Sequence, residues 1–327
     1  MAAPGRESAL VVDVGGTRLR FAIARRERNG VRLERTADRR ADDYPNFYAA
    51  LAEYLAGVRD LWPKRVAIAV AAPVAGDEVV LTNREWRIRA PALGERFGFE
   101  DAILVNDFVA LASALPLVPA TGRRSLGGGR ADPTAPVAVL GPGTGLGVAL
   151  LVPAPGGSLL VASEGGHASF APETERETAL ARGLQWRHGH VSWERVLSGP
   201  GIAQIYEILA ELDQGMGVAL SPEVISARAL QGVDRLAVET LQMFAALLGS
   251  FAGNLALTAG ARGGVFLGGG ILPQFADFLA GSDFRARFEA KGRFADYLAA
   301  IPTTLILEAE PTLLGLAATL WPDLRNR

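Results

Sequence analysis

The feature that most restricts how this 327-residue chain can fold is a glycine-containing pattern that occurs twice. Shifting the sequence by 127 residues aligns "VLGPGTGLGVAL" (139–150) with "VDVGGTRLRFAI" (12–23). The identical positions include Gly16 with Gly143, Thr17 with Thr144, and Leu19 with Leu146. In each copy, apolar runs flank the glycines, which predicts an antiparallel hairpin. Two such hairpins in register favour a duplicated domain.

Strand-like and helix-like patterns alternate along the chain. Strand-like runs occupy 10–14, 18–24, 66–73, 103–105, 137–140, 146–152 and the start of 264–280. Helical spacing occupies 46–60, 192–212, 223–231, 234–260 and the end of 264–280. A third glycine cluster, Gly268 to Gly270, ends a predicted strand and opens a helix. Alternation of this kind predicts an α/β fold.

Composition bounds the class of protein. With 49% hydrophobic and 21% charged residues, the chain can bury a large core and is long enough for two domains. The net charge is −2 and there is no basic run, so neither nucleic acid nor a membrane is an expected partner. The absence of cysteine excludes disulfides and thiol nucleophiles and fits a reducing, cytoplasmic setting. The first eight residues, "MAAPGRES", lack the apolar core of a signal peptide.

One apolar stretch, at 240–261, is long enough to suggest a membrane span. It even carries Gly249 and Gly253 at the spacing found in paired membrane helices. Four polar residues dilute its hydrophobicity: Gln242, Ser250, Asn254 and Thr258. The stretch therefore predicts a buried helix of a globular domain.

The turn of the first hairpin is suited to bind an anion. Gly15 and Gly16 have no side chains, so their backbone N–H groups can approach phosphate oxygens, with the Thr17 hydroxyl as a further donor. An ordinary Gly-Gly hairpin turn is the alternative. Asp13 precedes this turn, whereas Leu140 stands at the matching place in the second copy. Only the first copy can therefore offer a carboxylate to Mg²⁺ bound to phosphates.

Two other nucleotide-binding motifs are absent from the chain. No sequence matches G-x-x-x-x-G-K-[ST], and "GPGTGLG" has Leu146 where G-x-G-x-x-G needs a glycine. At "ILVNDF" (103–108), Asn106 and Asp107 follow a predicted strand directly. Both residue types are favoured helix N-caps, and both could equally be polar groups of a site at the end of that strand.

Six segments together resemble a known family. They are "DVGGT", "VNDFVALA", "LGPGTGLGVA", "SEGGH", "HVSWERVLSGPGI" and "GGVFLGGGILP". Their order and spacing, from about residue 9 to 320, are similar to those of the bacterial glucokinases, ATP-dependent enzymes of the hexokinase, actin and Hsp70 superfamily. The resemblance implies an actin-like ATPase (ribonuclease H-like) fold with two α/β domains and an interdomain cleft. The small domain would be 8–117 with 308–327, and the large one 118–307.

The resemblance also implies a function and a site. The activity would be phosphorylation of glucose to glucose 6-phosphate by ATP and Mg²⁺, in a cytoplasmic homodimer. Asp107 would be the catalytic base that accepts the proton of the attacking sugar hydroxyl. The residues that surround the sugar would be Asn106, Asp107, Glu164, His167 and Glu194. The ATP-binding residues would be Asp13, Val14, Gly15, Gly16, Thr17, Gly143, Thr144, Gly145, Gly269 and Gly270, with Asp13 holding Mg²⁺ directly or through water.

Some of these residues also have simpler interpretations. Glu164 and His167 lie in a loop with two glycines, where both could be solvent-exposed without a role. Glu194 is predicted in the first turn of a helix capped by Ser192, where a carboxylate favours the positive end of the dipole. His188 and His190 are interpreted as structural. Arg18 stands where the family most often has asparagine, and either adds charge near the phosphates or points into solvent.

Three other functions remain open at this level. The protein could phosphorylate another hexose, or it could sense sugar without catalysis. Sensors of the superfamily carry a DNA-binding segment, and the eight residues before the first predicted strand are too few for a helix-turn-helix. An actin-like or chaperone ATPase would leave Asn106, Glu164 and His167 without a shared purpose.

Overall fold

The computed structural model describes residues 7–28, 30–74, 76–81 and 84–326. Most of the polar N-terminal segment, residues 1–6, lies outside the described residues. The chain forms two compact units. Unit 1 contains the residues up to Gly122, Ala154–Ala162 and the residues from Glu308 onward, and unit 2 contains Arg123–Pro153 and Ser163–Leu307. The domain boundaries predicted from the sequence stay a prediction, from which these units differ at residues 118–122 and 154–162.

Thirteen strands and eleven α-helices are found in the described part of the chain. The strands are β1 (Ser8–Val14), β2 (Arg18–Glu27), β3 (Gly30–Arg40), β4 (Arg65–Val70), β5 (Glu78–Val80), β6 (Arg87–Arg89), β7 (Asp101–Asn106), β8 (Arg123–Gly127), β9 (Val137–Pro142), β10 (Leu146–Ala154), β11 (Gly157–Ser163), β12 (Gly264–Leu267) and β13 (Thr303–Ile306). The helices are α1 (Phe47–Gly57), α2 (Ala90–Phe97), α3 (Asp107–Ala114), α4 (Glu175–His188), α5 (Gly199–Gln214), α6 (Pro222–Gln231), α7 (Arg235–Ala259), α8 (Ala276–Ala280), α9 (Phe284–Glu289), α10 (Ala295–Ala299) and α11 (Pro311–Leu320).

Unit 1 is built on a five-stranded sheet of order β3-β2-β1-β4-β7. β1 pairs antiparallel with β2 and parallel with β4, and β4 pairs parallel with β7. Side chains alternate between the two faces of β1, as in any strand. Leu10 and Val12 belong to a core that includes Phe47 and Leu51 of α1. Residues 9 and 11 belong to a second core, with Leu313 and Leu316 of α11. Helices therefore cover both faces of the sheet, which confirms the predicted α/β class.

The second sheet has six strands in the order β11-β10-β9-β12-β13-β8. β9 pairs antiparallel with β10 and parallel with β12. This repeats the arrangement of β1 with β2 and β4. The duplicated hairpin predicted from the 127-residue repeat is thus confirmed. The structure adds that the first strand of each hairpin also has a parallel neighbour strand.

The apolar stretch at 240–261 lies mostly in α7, a helix of 25 residues. By length and composition α7 could cross a membrane, but most of its apolar surface is buried inside the protein. Gly249 and Gly253 face helix α9, where a Cβ on either glycine would lie 2.1 or 2.5 Å from the carbonyl oxygens of Phe284 and Phe288. The two glycines thus allow a close helix crossing inside unit 2, as the buried-helix prediction required.

A buried ion pair joins helices of unit 2. Glu177 of α4 accepts hydrogen bonds from Arg287 of α9 at 2.7 and 3.3 Å. The side chains are 3% and 17% exposed, so water contributes little to their solvation. Arg287 also donates to the Ser250 hydroxyl of α7 at 3.1 Å. This network links three helices through one guanidinium group.

Candidate active site

The first glycine turn connects β1 to β2 in unit 1. The Gly15 N–H donates to the Arg18 carbonyl at 2.9 Å, which closes the turn. Thr17 is exposed and Gly15 and Gly16 are half-buried, so the turn is accessible to a ligand. The Val14 side chain is buried in the core, so only its backbone can contribute to a phosphate site. The turn thus presents backbone donors and one hydroxyl, as an anion site requires.

Asp13 lies two residues before Gly15, the start of this turn, and has a mostly buried carboxylate. Arg20 on β2 donates to it at 3.3 Å, and the Arg20 Nε lies 3.9 Å from Glu310. Burial raises the pKa of Asp13 to about 6, an effect that the Arg20 guanidinium opposes. A bound cation would likewise favour the ionised form of Asp13.

No cluster of three or more acidic, histidine or cysteine side chains able to hold a metal ion occurs among the described residues. Mg²⁺ bound with a nucleotide does not need such a cluster, because phosphates and water supply most of its ligands. A single carboxylate next to a glycine turn, as Asp13 is, fits that requirement.

Asn106 and Asp107 mark the end of β7 and the start of α3. The Asn106 side chain caps the helix, since its Oδ1 accepts from Phe108 N–H at 2.9 Å and Val109 N–H at 3.2 Å. Its amide nitrogen lies 3.5 Å from the Ala72 carbonyl oxygen. Asp107 is half-buried, and its Oδ1 accepts from Phe108 N–H at 2.9 Å. The N-cap interpretation therefore holds for Asn106, while Asp107 lies one residue inside the helix.

The sheet of unit 1 brings Asp107 and the glycine turn to the same edge. Val14 of β1 pairs with Val70 of β4, which pairs with Asn106 of β7. These three parallel strands therefore end level with one another. The turn and Asp107 directly follow the two outer strands of the three, so their backbones are separated by two strand spacings, roughly 10 Å. The Asp107 carboxylate and the first glycine turn thus share one edge of the sheet.

Glycines of unit 2 converge around the second turn. Gly143 to Gly145 follow β9, and Gly268 to Gly270 follow its parallel neighbour β12. The Gly199 N–H, at the start of α5, donates to the Gly143 carbonyl at 2.9 Å. Gly269 has φ +87°, and a Cβ there would lie 2.5 Å from the Pro142 carbonyl oxygen. Glycine is thus required at this close approach, while Thr144 and Gly270 remain exposed.

Three predicted sugar-binding residues form one group in unit 2. Glu164 and Glu194 each place a carboxylate oxygen 3.9 Å from a ring nitrogen of His167. Glu194 also accepts from the Leu146 N–H at 2.9 Å, at the end of the second glycine turn. The side chains of Glu164 and His167 are more than half exposed, and that of Glu194 is 31% exposed. The group therefore presents carboxylates and an imidazole to solvent, the groups that bind sugar hydroxyls.

Backbone bonds hold the two loops of this group together. Trp193 N–H donates to the Ala168 carbonyl at 3.0 Å, and Phe170 N–H to the Val191 carbonyl at 2.9 Å. The predicted helix start at 192 is wrong: residues 193–195 form a short 3₁₀ turn, and Ser192 makes no side-chain cap. α5 begins later, at Gly199, with Ser198 as its cap. The proline of "SGPG" signals this start, because proline is common in the first helical turn.

Local partners are also found for Arg18, His188 and His190. Arg18 is exposed and pairs with Asp38 at 2.6 Å across β2 and β3, which makes it a surface strand residue. His190 lies 3.2 Å from the Ser169 hydroxyl, and His188 lies 2.5 Å from the Gln204 side-chain oxygen. These histidines join neighbouring segments, as their structural interpretation requires.

Two arginines near the first turn were not identified from the sequence. Arg20 lies opposite Asp13 in the register of β1 with β2. Counting residues outward from the glycine turn along both strands could have identified this pair. Arg84 donates from Nε to the Gly16 carbonyl at 3.0 Å. Because 68 residues separate Arg84 from Gly16, no local pattern could have indicated this contact.

Given the sugar-binding role that the resemblance implies for Glu194, replacing Gly145 by alanine should weaken glucose binding. A Cβ there would lie 2.4 Å from Glu194 Oε2, so the carboxylate must leave the Leu146 N–H. We expect the glucose Kd, measured by calorimetry without nucleotide, to rise roughly three- to tenfold, as loss of one hydrogen bond implies. Gly143→Ala is the matched control, because its Cβ meets no atom within 4 Å. Equal glucose affinity in both variants would contradict a role for Glu194.

The chain matches known proteins over nearly its whole length. A family model described as Glucokinase matches residues 10–322. A glucokinase of Chromobacterium violaceum is 47% identical over 318 residues, covering 97% of this chain and 90% of that protein. The crystal structure of a glucokinase from an Antarctic psychrotroph superposes with a TM-score of 0.86 at 37% identity, covering 97% of this chain and 99% of that one.

More distant structures share the fold. A ROK family glucokinase from Streptomyces griseus, solved in complex with glucose and AMPPNP, superposes with a TM-score of 0.66 at 20% identity, covering 95% of this chain and 98% of that one. The chain thus matches glucokinases in sequence and fold over nearly its whole length. It carries the two glycine hairpins, Asp107 directly after β7, and the group formed by Glu164, His167 and Glu194. This chain belongs to the glucokinase family.

Proposed function

We propose that this protein transfers the γ-phosphoryl group of ATP to the 6-hydroxyl of glucose, forming glucose 6-phosphate and ADP. Membership of the glucokinase family makes it an ATP-dependent hexose kinase, a transferase. The observation that supports the residue assignment most is the shared edge in unit 1, where Asp107 and the Gly15–Thr17 turn follow parallel strands that end level.

Asp107 is the proposed general base. The new bond forms between the sugar oxygen and the γ-phosphorus, the bond from phosphorus to the bridging oxygen breaks, and ADP leaves. Asp107 accepts the hydroxyl proton as that oxygen attacks. In phosphoryl transfer a positioned carboxylate orients the hydroxyl, and positioning with charge stabilisation supplies most of the catalysis. The hydrogen bond that Asp107 Oδ1 accepts from the Phe108 N–H, at the start of α3, restrains the direction of its carboxylate.

The remaining residues bind and orient the substrates. Backbone N–H groups of the Gly15–Thr17 and Gly143–Gly145 turns are the proposed phosphate donors. Gly269 and Gly270 are the proposed nucleoside contacts, and only at Gly270 is the space that a Cβ would occupy open. Glu164, His167 and Glu194 are the proposed partners of sugar hydroxyls. For Asn106 the capping role of Oδ1 leaves the amide nitrogen as its proposed contact to sugar. Mg²⁺ would be held near Asp13 and would neutralise phosphate charge.

The test is ADP formation with Mg-ATP, measured with and without glucose. We expect glucose to accelerate ADP release at least 100-fold, because water lacks the hydroxyls that the site binds, and we expect ³¹P NMR to identify the 6-phosphate. A panel containing mannose, fructose and N-acetylglucosamine distinguishes a kinase for another hexose. ADP release no faster with glucose would contradict the proposal. Glucose binding by calorimetry without any turnover would indicate a sugar sensor.

We also propose that the protein acts as a cytoplasmic homodimer. The absence of cysteine fits a reducing compartment. The dimer is supported by the resemblance to bacterial glucokinases alone. Light scattering coupled to size-exclusion chromatography tests it, and a mass of one 34.5 kDa chain at micromolar concentration would contradict it.

A further inference from the structure

Arg84 contacts the first glycine turn from a distant part of unit 1. Its Nε donates to the Gly16 carbonyl at 3.0 Å, and its Nη2 donates to Asp42 Oδ1 at 2.5 Å. The guanidinium also lies 5.4 Å from the ring centre of Trp86. The side chain is only 20% exposed, so protein atoms cover most of its surface. One arginine thus joins the turn, residue 42 and the segment that leads into β6.

The bond to Gly16 sets the direction of the next donor. In a trans peptide, the C=O of one residue and the N–H of the following residue point in opposite directions. The described peptide bonds include no cis bond. When Arg84 holds the Gly16 carbonyl on its own side, the Thr17 N–H must therefore point to the opposite side.

A second contact holds the next peptide of the turn. The Ala41 N–H donates to the Thr17 carbonyl at 3.0 Å. Residue 41 adjoins Asp42, the partner of Arg84, so the segment at 41–43 and Arg84 restrain consecutive carbonyls of the turn. Glycines lack the side chains that would otherwise restrict this backbone. The contacts from Arg84 and Ala41 therefore add to the one bond inside the turn, from the Gly15 N–H to the Arg18 carbonyl.

We propose that Arg84, held by Asp42, is a positioning residue that orients the Gly15–Thr17 turn for nucleotide phosphate. This inference rests on the proposed kinase function. Arg84 acts through the Gly16 peptide and touches neither substrate. The Arg84 guanidinium also holds the pKa of Asp42 below its usual range, as expected for a charged partner. Lysine cannot replace it, because one ammonium lacks the planar fork that donates in two directions.

The experiment compares Arg84→Ala, Arg84→Lys and Asp42→Ala with the wild-type enzyme. The matched control is Arg87→Ala, since Arg87 lies on the adjacent β6 and pairs only with Glu78 among the described residues. We measure KM for ATP and for glucose, Mg-ADP affinity by calorimetry, melting temperature, and hydrogen exchange of the Gly15 to Arg18 amides.

Arg84→Ala and Arg84→Lys should raise KM for ATP and the Kd of Mg-ADP roughly tenfold, with KM for glucose within twofold of wild type. Amide exchange in the turn should accelerate in both. Asp42→Ala should act in the same direction with a smaller effect, and Arg87→Ala should change none of these quantities.

A lower melting temperature with unchanged ADP affinity and unchanged amide exchange would overturn the inference, leaving Arg84 a structural residue. Failure of the proposed function would be visible separately, as wild-type ADP release that does not respond to glucose. In that case the exchange and ADP measurements still decide whether Arg84 orients the turn.

Discussion

Replacing Asp107 by asparagine should lower kcat roughly 10²–10⁴-fold, the range for loss of a general base. Asparagine keeps the size of the side chain, and its Oδ1 can still accept from Phe108 N–H as Asp107 does. It cannot accept a proton from the sugar hydroxyl. Glucose affinity should change much less than kcat, because the substitution removes an interaction made in the transition state. Steady-state kinetics and glucose calorimetry measure the two effects separately.

The matched control for this experiment is Asp101→Asn. Asp101 begins β7, whose other end adjoins Asp107, and it pairs with Arg65. The same change of charge at the far end of one strand should leave kcat within about twofold, because exposed ion pairs contribute little. If kcat were near normal in Asp107→Asn, Asp107 would have no catalytic role and would contribute only to the start of α3.

Replacing Glu177 by alanine should destabilise the protein by about 3 kcal/mol, because Arg287 would remain buried without its main partner. The estimate takes the low end of the usual range, since Arg287 also lies 3.3 Å from Glu173. Urea unfolding followed by fluorescence measures the change in the free energy of unfolding. Glu175→Ala on the same helix is the control, because Glu175 is exposed and should change stability by less than about 0.5 kcal/mol.

A double substitution distinguishes the loss of the ion pair from the cost of leaving one of its charges buried alone. Glu177→Leu with Arg287→Met removes both charges and should recover most of the loss, since apolar residues can replace a buried ion pair. If Glu177→Ala were as mild as Glu175→Ala, the network would contribute nothing to stability and the buried position of Glu177 would need another explanation.

The same ion pair should make stability depend on pH. Burial by itself raises the pKa of Glu177, but hydrogen bonds from Arg287 and from the Glu173 N–H outweigh it and hold the pKa below its usual range. A group whose folded-state pKa is lowered stabilises the protein above its unfolded pKa, about 4.3 for glutamate. The contribution is lost as the pH falls through the lower, folded value. The difference in stability between wild type and Glu177→Ala should therefore shrink in acid.

Local patterns were sufficient for many elements. The hairpin strands, the helices near 223–231 and 234–260, and the strand before Asn106 all follow from hydrophobic periodicity and turn residues. The predicted start of α5 was wrong because Ser192 and Ser198 are both favourable capping residues. The loop at 190–196 packs against Ala168, and only this contact decides that the helix is capped by Ser198.

The residues proposed for the site were accessible for a different reason. The glycine turns and the Glu164 and His167 loop carry short motifs whose order resembles one family, and that order is a property of the chain alone. The sequence could not decide what each polar group contacts. Asn106 proved to cap α3, and Glu194 proved to accept a hydrogen bond from the second glycine turn.

By itself, the amino-acid sequence determined the α/β class and the repeated hairpins, because these depend on neighbours along the chain. It also carried the motifs from which the phosphate and sugar sites are proposed. Only the tertiary structure decided that β1, β4 and β7 end level and so bring Asp107 to the edge that carries the glycine turn. It also decided that Arg84 reaches Gly16 across 68 residues. Such contacts arise from strand register and helix packing, which join residues distant in sequence and leave no local pattern to recognise.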